Sequence, residues 1–259
     1  MNELERIVAR TRTELASRPD AISSEELERA GARRGEIRPF AQAISHPGIS
    51  LIAEHKRRSP SAGLIRDDLG LPEVVGAYER GGAAALSILT EGPGFGGSLE
   101  HLGTARAAAG LPILRKDFIL DPRQVVESLA AGADAILLIA AALNTQELVA
   151  LHLGARAAGL SALVEVRDER ELYLALDAGA GLIGINNRDL GTLEVDVRRT
   201  FELLPHVPPG VITVAESGFS EPEELEELAQ AGVDAVLVGE ALMRSADIEE
   251  ACRRLVGPQ

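Results

Sequence analysis

The sequence predicts an α/β fold, a (β/α)8 TIM barrel with extra N-terminal helices, and three observations carry that prediction. A weak repeat sets a glycine ahead of an apolar run at Gly82, Gly110, Gly132, Gly159, Gly179 and Gly232. Each glycine follows an alanine-rich stretch of helical spacing, and a glycine just past a helix takes the left-handed conformation that other residues resist. The runs after the glycines, such as ALSIL and AILLI, are continuously apolar, as parallel strands covered on both faces must be. Two further runs, ISLIAEHK from Ile49 and VITVA from Val211, complete eight strands at roughly 26-residue steps, enough for one βα unit each. An open doubly wound sheet is the structural alternative, but no G-x-G-x-x-G opens the first helix after a strand.

Along the chain, residues 1–48 precede the barrel. Leu4, Ile7, Val8 and Leu15 fall close to one helical face, and Ser23 with Glu26 has the spacing of a second helix start. This segment is too short and too thinly apolar to hold a core alone, so it is expected to pack on the barrel, making residues 1–259 one domain. Asp168 with Glu171, and Ser220 with Glu223, have capping-box spacing for helices after strands, and a short helix is expected after Gly239.

Lys and Arg total 26 against 40 Asp and Glu, a net charge of −14. That balance argues against a general nucleic-acid binder or a basic membrane-surface protein. The sole cysteine, Cys252, excludes an intramolecular disulfide and a cysteine-rich zinc site, and no histidine pair has metal-ligand spacing. The longest uncharged apolar run, Ala135 to Leu143, is too short to span a bilayer, and the N-terminus lacks a signal-peptide core. A cytoplasmic protein is expected, a monomer or weak homo-oligomer acting on a small molecule.

Barrel active sites form at the C-terminal strand ends, where alternate residues point inward. The strand ends here carry Glu54-His55-Lys56, Arg115-Lys116-Asp117-Phe118, Glu165, Asn186-Asn187-Arg188 and Glu216-Ser217-Gly218. Parity puts Glu54 with Lys56, Lys116 with Leu114, Glu165 with Leu163, Asn186 with Gly184 and Glu216 with Val214. If those faces are inward, two lysines and three carboxylates meet at one mouth, with His55 turned toward the helices. For any one charge a structural ion pair is the simpler account; for the set, a site is. A lysine in a positive, partly desolvated pocket is expected to have a lowered pKa and to act as a proton donor.

A second constellation suits an anion. Ser217-Gly218 and Gly239-Glu240 end the last two strands, where barrels often build phosphate sites from backbone N–H groups, opposite Lys56 and Ser59. A branched side chain at Gly239 is expected to crowd the anion and disfavour a positive φ there. Phe95 and Phe118 lie just past strand ends and suit an aromatic ring at the mouth. The loop Glu91-Gly92-Pro93-Gly94-Phe95-Gly96-Gly97 reads as a mobile lid.

At these residues the chain closely resembles the indole-3-glycerol-phosphate synthase family. The stretches are IAEHKRRSPSAG (52–63), SILTEGPGFGGS (87–98), LPILRKDFILDP (111–122), VEV (164–166), IGINNRDL (183–190), VAESGF (214–219) and VLVGEALMR (236–244), in family order across the barrel. The resemblance implies conversion of 1-(2-carboxyphenylamino)-1-deoxyribulose 5-phosphate to indole-3-glycerol phosphate, CO2 and water, without metal or organic cofactor. It implies Lys116 as general acid, Glu165 as catalytic glutamate and Lys56 as second active-site lysine, with Glu54, Asn186, Arg188 and Glu216 as further polar site residues. Phosphate ligands carry over to Ser59, Ser217, Gly218, Gly239 and the N–H of Glu240, and ring-flanking aromatics to Phe95 and Phe118. The chain departs from the family pattern at Ala62, where lysine is common, and at Gly92-Pro93 after Glu91. A phosphoribosylanthranilate isomerase would call for a Cys–Asp pair, and Cys252 sits in a terminal helix. A non-enzymatic phosphate-binding barrel is the remaining alternative.

Overall fold

The computed structural model describes residues 1–18, 24–34 and 36–257. Helices α1 (Glu3–Ala16), α2 (Ser24–Arg34) and α3 (Phe40–Ala43) come first, then β1 (Ser50–His55) and a hairpin of β2 (Arg58–Ser59) and β3 (Gly63–Leu64). The units α4 (Leu71–Arg80), β4 (Ala85–Leu89), α5 (Glu100–Ala108), β5 (Ile113–Lys116), α6 (Pro122–Ala131), β6 (Ala135–Ile139), α7 (Thr145–Ala157) and β7 (Ser161–Val166) follow. The chain closes with α8 (Glu169–Asp177), β8 (Leu182–Asn186), α9 (Arg198–Leu203), β9 (Ile212–Glu216), α10 (Pro222–Ala231), β10 (Ala235–Val238), α11 (Glu240–Arg244) and α12 (Ile248–Val256). Parallel pairing in the order β1-β10-β9-β8-β7-β6-β5-β4, completed by β1 with β4, shuts eight strands into a barrel.

The period of two sorts each strand. Ile52, Leu114, Leu163, Val214 and Leu237 belong to the interior cluster, while Leu51, Ala53, Ile113 and Val236 pack in the cluster shared with the helices. The inward face therefore carries Glu54, Lys116, Glu165 and Glu216 at the strand ends.

The N-terminal segment spans the barrel from end to end. Leu4 and Ile7 of α1 join Phe118 in the interior cluster, and Arg12 Nη1 bonds Glu147 Oε1 at 2.9 Å, beyond the C-terminal end of β6. Helix α2 packs along α6. At the other end, Arg38 donates from its N–H to Asp134 Oδ1 (2.8 Å) and from Nη1 to the carbonyls of Ala109 and Leu111 (2.8 and 2.7 Å), ahead of β6 and β5. Phe40 and Ile44 follow, fully buried in the interior cluster, and plug that end.

The repeat includes an aspartate. Asp134 and Asp234 both lie two residues past a repeat glycine and one before a strand. Asp134 Oδ2 accepts the N–H of Ile113 at 3.0 Å, and Asp234 Oδ2 that of Thr213 at 2.7 Å, so each aligns the start of the preceding strand.

Some local expectations need correction. Gly82, Gly132, Gly159, Gly179 and Gly232 have positive φ, but Gly110 does not: α5 ends in the extended Ala109, and the Gly110 N–H donates to Glu79 Oε1 at 2.7 Å. The helix expected to start with Ser220 and Glu223 is capped one residue later. Pro222 occupies its first turn, and Glu224 Oε2 accepts the N–H groups of Ser220 (2.7 Å) and Glu221 (2.9 Å). Asp168 caps α8 through the Glu171 N–H at 2.9 Å, but Glu171 reaches back to the Arg167 N–H. The Ser23–Glu26 pair lies outside the described residues. Among the described residues no helix is long and apolar enough to cross a membrane.

Candidate active site

A cavity of about 420 Å³ opens at the C-terminal strand ends. Its wall brings together Glu54, Lys56, Lys116, Glu165, Asn186, Arg188 and Glu216, the aromatics Phe95 and Phe118, and Ser59, Ser217, Gly218, Gly239 and Glu240. Strands supply the reactive groups because the period of two aims one side chain per strand end inward.

Lys116 sits at the centre. Its Nζ bonds Glu165 Oε2 at 3.1 Å and Glu216 Oε2 at 3.0 Å, while Lys56 Nζ pairs with Glu54 Oε1 at 2.6 Å. Burial alone favours the neutral amine of Lys116, but Glu165, Glu216 and Glu54 outweigh it and raise the lysine above its ordinary value. The expected lowering is thus corrected: the surroundings of Lys116 are negative, not positive. Burial, with the Glu165 charge beside it, pushes Glu216 up to about 7 against the pull of Lys116. Among the described residues nothing donates a hydrogen bond to Glu216 Oε1. Burial opposes ionisation of Glu54 as well, yet Lys56 and Lys116 prevail and lower it.

Two glycines make room for these carboxylates. A Cβ on Gly184 would stand 2.3 Å from Glu216 Oε1, and one on Gly239 2.4 Å from Glu54 Oε1. Gly239 has φ −127°, so it needs no left-handed freedom. A branched side chain there would displace Glu54 before it crowded an anion, which corrects the expectation for that position.

The anion corner is backbone. Ser217 and Gly218 are both left-handed, with φ +66° and +96°. For serine that conformation is strained and must be held by its surroundings. Asn187, fully buried, holds it: Nδ2 donates to the Ser217 carbonyl at 3.0 Å, and Oδ1 accepts from the N–H and Oγ1 of Thr200 at 3.1 and 2.9 Å. Helix α11 starts at Glu240 beside this corner, and Ser59 Oγ, across the cavity, accepts the Ala62 N–H at 3.1 Å.

Asn186 Oδ1 accepts the Arg188 N–H at 2.9 Å, and Arg188 Nη1 donates to the Leu193 carbonyl at 3.0 Å. His55 lies on the outer side, edge-on to His101 at 6.2 Å, and burial with His101 and Arg57 nearby pushes it down to about 4. Among the described residues no group of His, Cys, Asp and Glu is arranged to hold a metal ion.

Sequence reasoning missed several wall residues: Leu4 and Ile7 of α1, Glu91, Ser61 and Arg244. Helical periodicity marks Leu4 and Ile7 as apolar without saying that they face a cavity. Gly184 did carry a signal, since a glycine inside an apolar strand marks a close approach.

Fold and mouth together have the form of a barrel enzyme, with lysines and carboxylates paired where acid–base chemistry would need them. A family profile described as Indole-3-glycerol phosphate synthase matches residues 4–255. The chain is 46% identical over 251 residues to "Indole-3-glycerol phosphate synthase 2" of Streptomyces coelicolor, covering 97% of each chain. It is 48% identical over 248 residues to the indole-3-glycerol phosphate synthase of a Parafrankia species, covering 95% of this chain and 92% of that one. Among solved structures, 3-hexulose-6-phosphate synthase from Salmonella typhimurium superposes with a TM-score of 0.63 at 17% identity, over 80% of this chain and 96% of that one, a likeness of fold alone. The chain belongs to the indole-3-glycerol phosphate synthase family, a family of carboxy-lyases.

Proposed function

We propose that this chain, in the cytoplasm, closes the indole ring: 1-(2-carboxyphenylamino)-1-deoxyribulose 5-phosphate gives indole-3-glycerol phosphate, CO2 and water. The observation that carries the reading is Lys116 caged by Glu165 and Glu216 at the barrel mouth. The aromatic carbon bearing the carboxylate attacks the ketone carbon, and the carbonyl oxygen becomes an alkoxide. Lys116, held charged by its cage, donates only to a base as strong as that alkoxide. Loss of CO2 returns the electron pair to the ring, with Lys56 pairing the carboxylate until it leaves. Dehydration then removes a proton, a task for Glu165, while one of the two lysines, Lys56 or a reprotonated Lys116, protonates the hydroxyl so that it leaves as water.

Phe95 and Phe118 flank the ring. The N–H groups of Ser217, Gly218, Gly239 and Glu240, with Ser59, receive the phosphate. Asn186, Arg188, Glu54 and Glu216 orient the substrate and the two lysines. The test is to incubate the pure protein with the carboxyphenylamino substrate and follow indole fluorescence. Fluorescence growing in proportion to protein is expected. Binding without fluorescence would leave a phosphate-binding barrel and end the enzymatic reading.

A further inference from the structure

We propose that Glu91 is a positioning residue: through it, the N-terminal helix α1 sets the place of the aromatic wall Phe95 and so the grip on the substrate's ring. The inference rests on the proposed function, because it takes Phe95 as a wall for an aryl group.

Glu91 is 5% exposed, although it sits in a glycine-rich loop. Its Oε2 accepts the backbone N–H groups of Gly94 (2.7 Å) and Phe95 (2.9 Å), and its Oε1 accepts from Arg10 Nη2 of α1. One carboxylate therefore fixes the backbone that bears the phenyl ring and hands that fix to a helix 81 residues earlier in the chain. Charge-assisted bonds of this kind are the strong ones. The loop also folds on itself, with Gly96 N–H to the Gly92 carbonyl and Gly97 N–H to the Glu91 carbonyl, both at 2.8 Å.

What lies behind the loop decides the weight of the pair. A second cavity, about 440 Å³, separates the loop from α1 and α6, lined by charged groups including Glu14, Arg18, Arg115 and Glu127. Arg18 is engaged with Glu127, and Arg115 with Asp117 and with Thr90 Oγ1 (3.0 Å) at the root of the loop, so neither reaches the segment that bears Phe95. Over that charged space the back of the loop gains little from packing, while Phe95 packs on the front against the interior cluster. The Arg10–Glu91 pair crosses that space and reaches the aromatic. Phe118, by contrast, is held from the barrel itself: Gln124 Nε2 donates to its carbonyl at 2.9 Å.

The experiment compares wild type with Glu91→Gln, Arg10→Met and the double variant. Four quantities are read: steady-state kcat and KM for the carboxyphenylamino substrate, the Kd of 2-aminobenzoate by its own fluorescence, and the inhibition constant of inorganic phosphate. Arg10 lies on a partly exposed helical face, so Arg10→Met keeps the test sound should Glu91→Gln fold poorly. Each single variant is expected to raise KM and the 2-aminobenzoate Kd by roughly tenfold, with kcat within about twofold and phosphate inhibition unchanged. The double variant is expected to match the harsher single one, since both cut the same chain of contacts. Arg10→Lys should recover part of the loss. Unchanged aryl affinity in both single variants, additive losses, or a parallel loss of phosphate inhibition would each overturn the proposal. A wild type that binds 2-aminobenzoate without turning over substrate would sink the proposed function instead, leaving the coupling to be judged on aryl affinity.

Discussion

Asp134 and Glu216 are both buried carboxylates on the same barrel, at opposite ends, and their surroundings differ in kind. Asp134 lies where the strands begin, and both its oxygens are engaged: Oδ1 by the Arg38 N–H at 2.8 Å, Oδ2 by the Ile113 N–H at 3.0 Å, and both by Arg106 Nη1. Glu216 lies where the strands finish, shares one lysine with Glu165, and keeps an oxygen to which no described residue donates. Burial alone therefore does not mark a functional acid. An incompletely satisfied acid beside a cation, at an open cavity, is the better candidate for a site residue.

Four changes break or sharpen that contrast. Lys116→Met, at the open end, should lower kcat by on the order of 10²–10⁴-fold while inorganic phosphate still competes with substrate; initial rates by indole fluorescence decide it, and full activity would remove Lys116 from the mechanism. Asp134→Ala, at the closed end, should cost about 3–5 kcal/mol of stability by leaving buried donors unpaired, with kcat per folded molecule near wild type; urea denaturation together with active-site titration measures both. Gly184→Ala sets a methyl where Glu216 Oε1 now lies, and should lower kcat about tenfold without a change in stability as large as that of Asp134→Ala; a normal kcat would mean that the carboxylate position is not critical.

The smallest effect is on pH. Glu216 is raised in the folded chain to about 7 from an ordinary 4.5, so the folded state binds the extra proton. Its contribution is complete below the unfolded value and is lost as pH rises through about 7. Glu216→Gln removes this dependence, so its Tm relative to wild type should improve as pH goes from 5 to 8. A constant difference would mean that Glu216 titrates normally.

Eight strands and their inward faces were legible because period-two alternation and post-helical glycines are local signals, as Gly132-Ala-Asp134-Ala135 and Gly232-Val-Asp234-Ala235 illustrate. The strand-end residues of the mouth were legible for the same reason: Lys116 and Glu165 each stand two residues past an inward leucine. The sign of the Lys116 shift was not legible. It depends on which charges stand within 3–4 Å across the barrel, and those come from β7 and β9, not from its own strand. Nor was the displaced helix start at Glu221, where Pro222 competes with the Ser220–Glu223 spacing. The reach of α1 over the mouth was hidden for a similar reason, since an apolar face does not name its partner.

The end-to-end course of the N-terminal segment has a consequence for synthesis. Helix α1 is joined to a residue 135 positions later, so Arg12 has no Glu147 until that stretch is made. Arg38 waits likewise for Asp134, 96 positions on. Until then Leu4, Ile7, Phe40 and Ile44 have no native interior to enter, because most of the strands of their cluster are still unmade. A segment made before the barrel is thus among the last to reach its place, and over that interval the nascent chain carries an unburied apolar stretch.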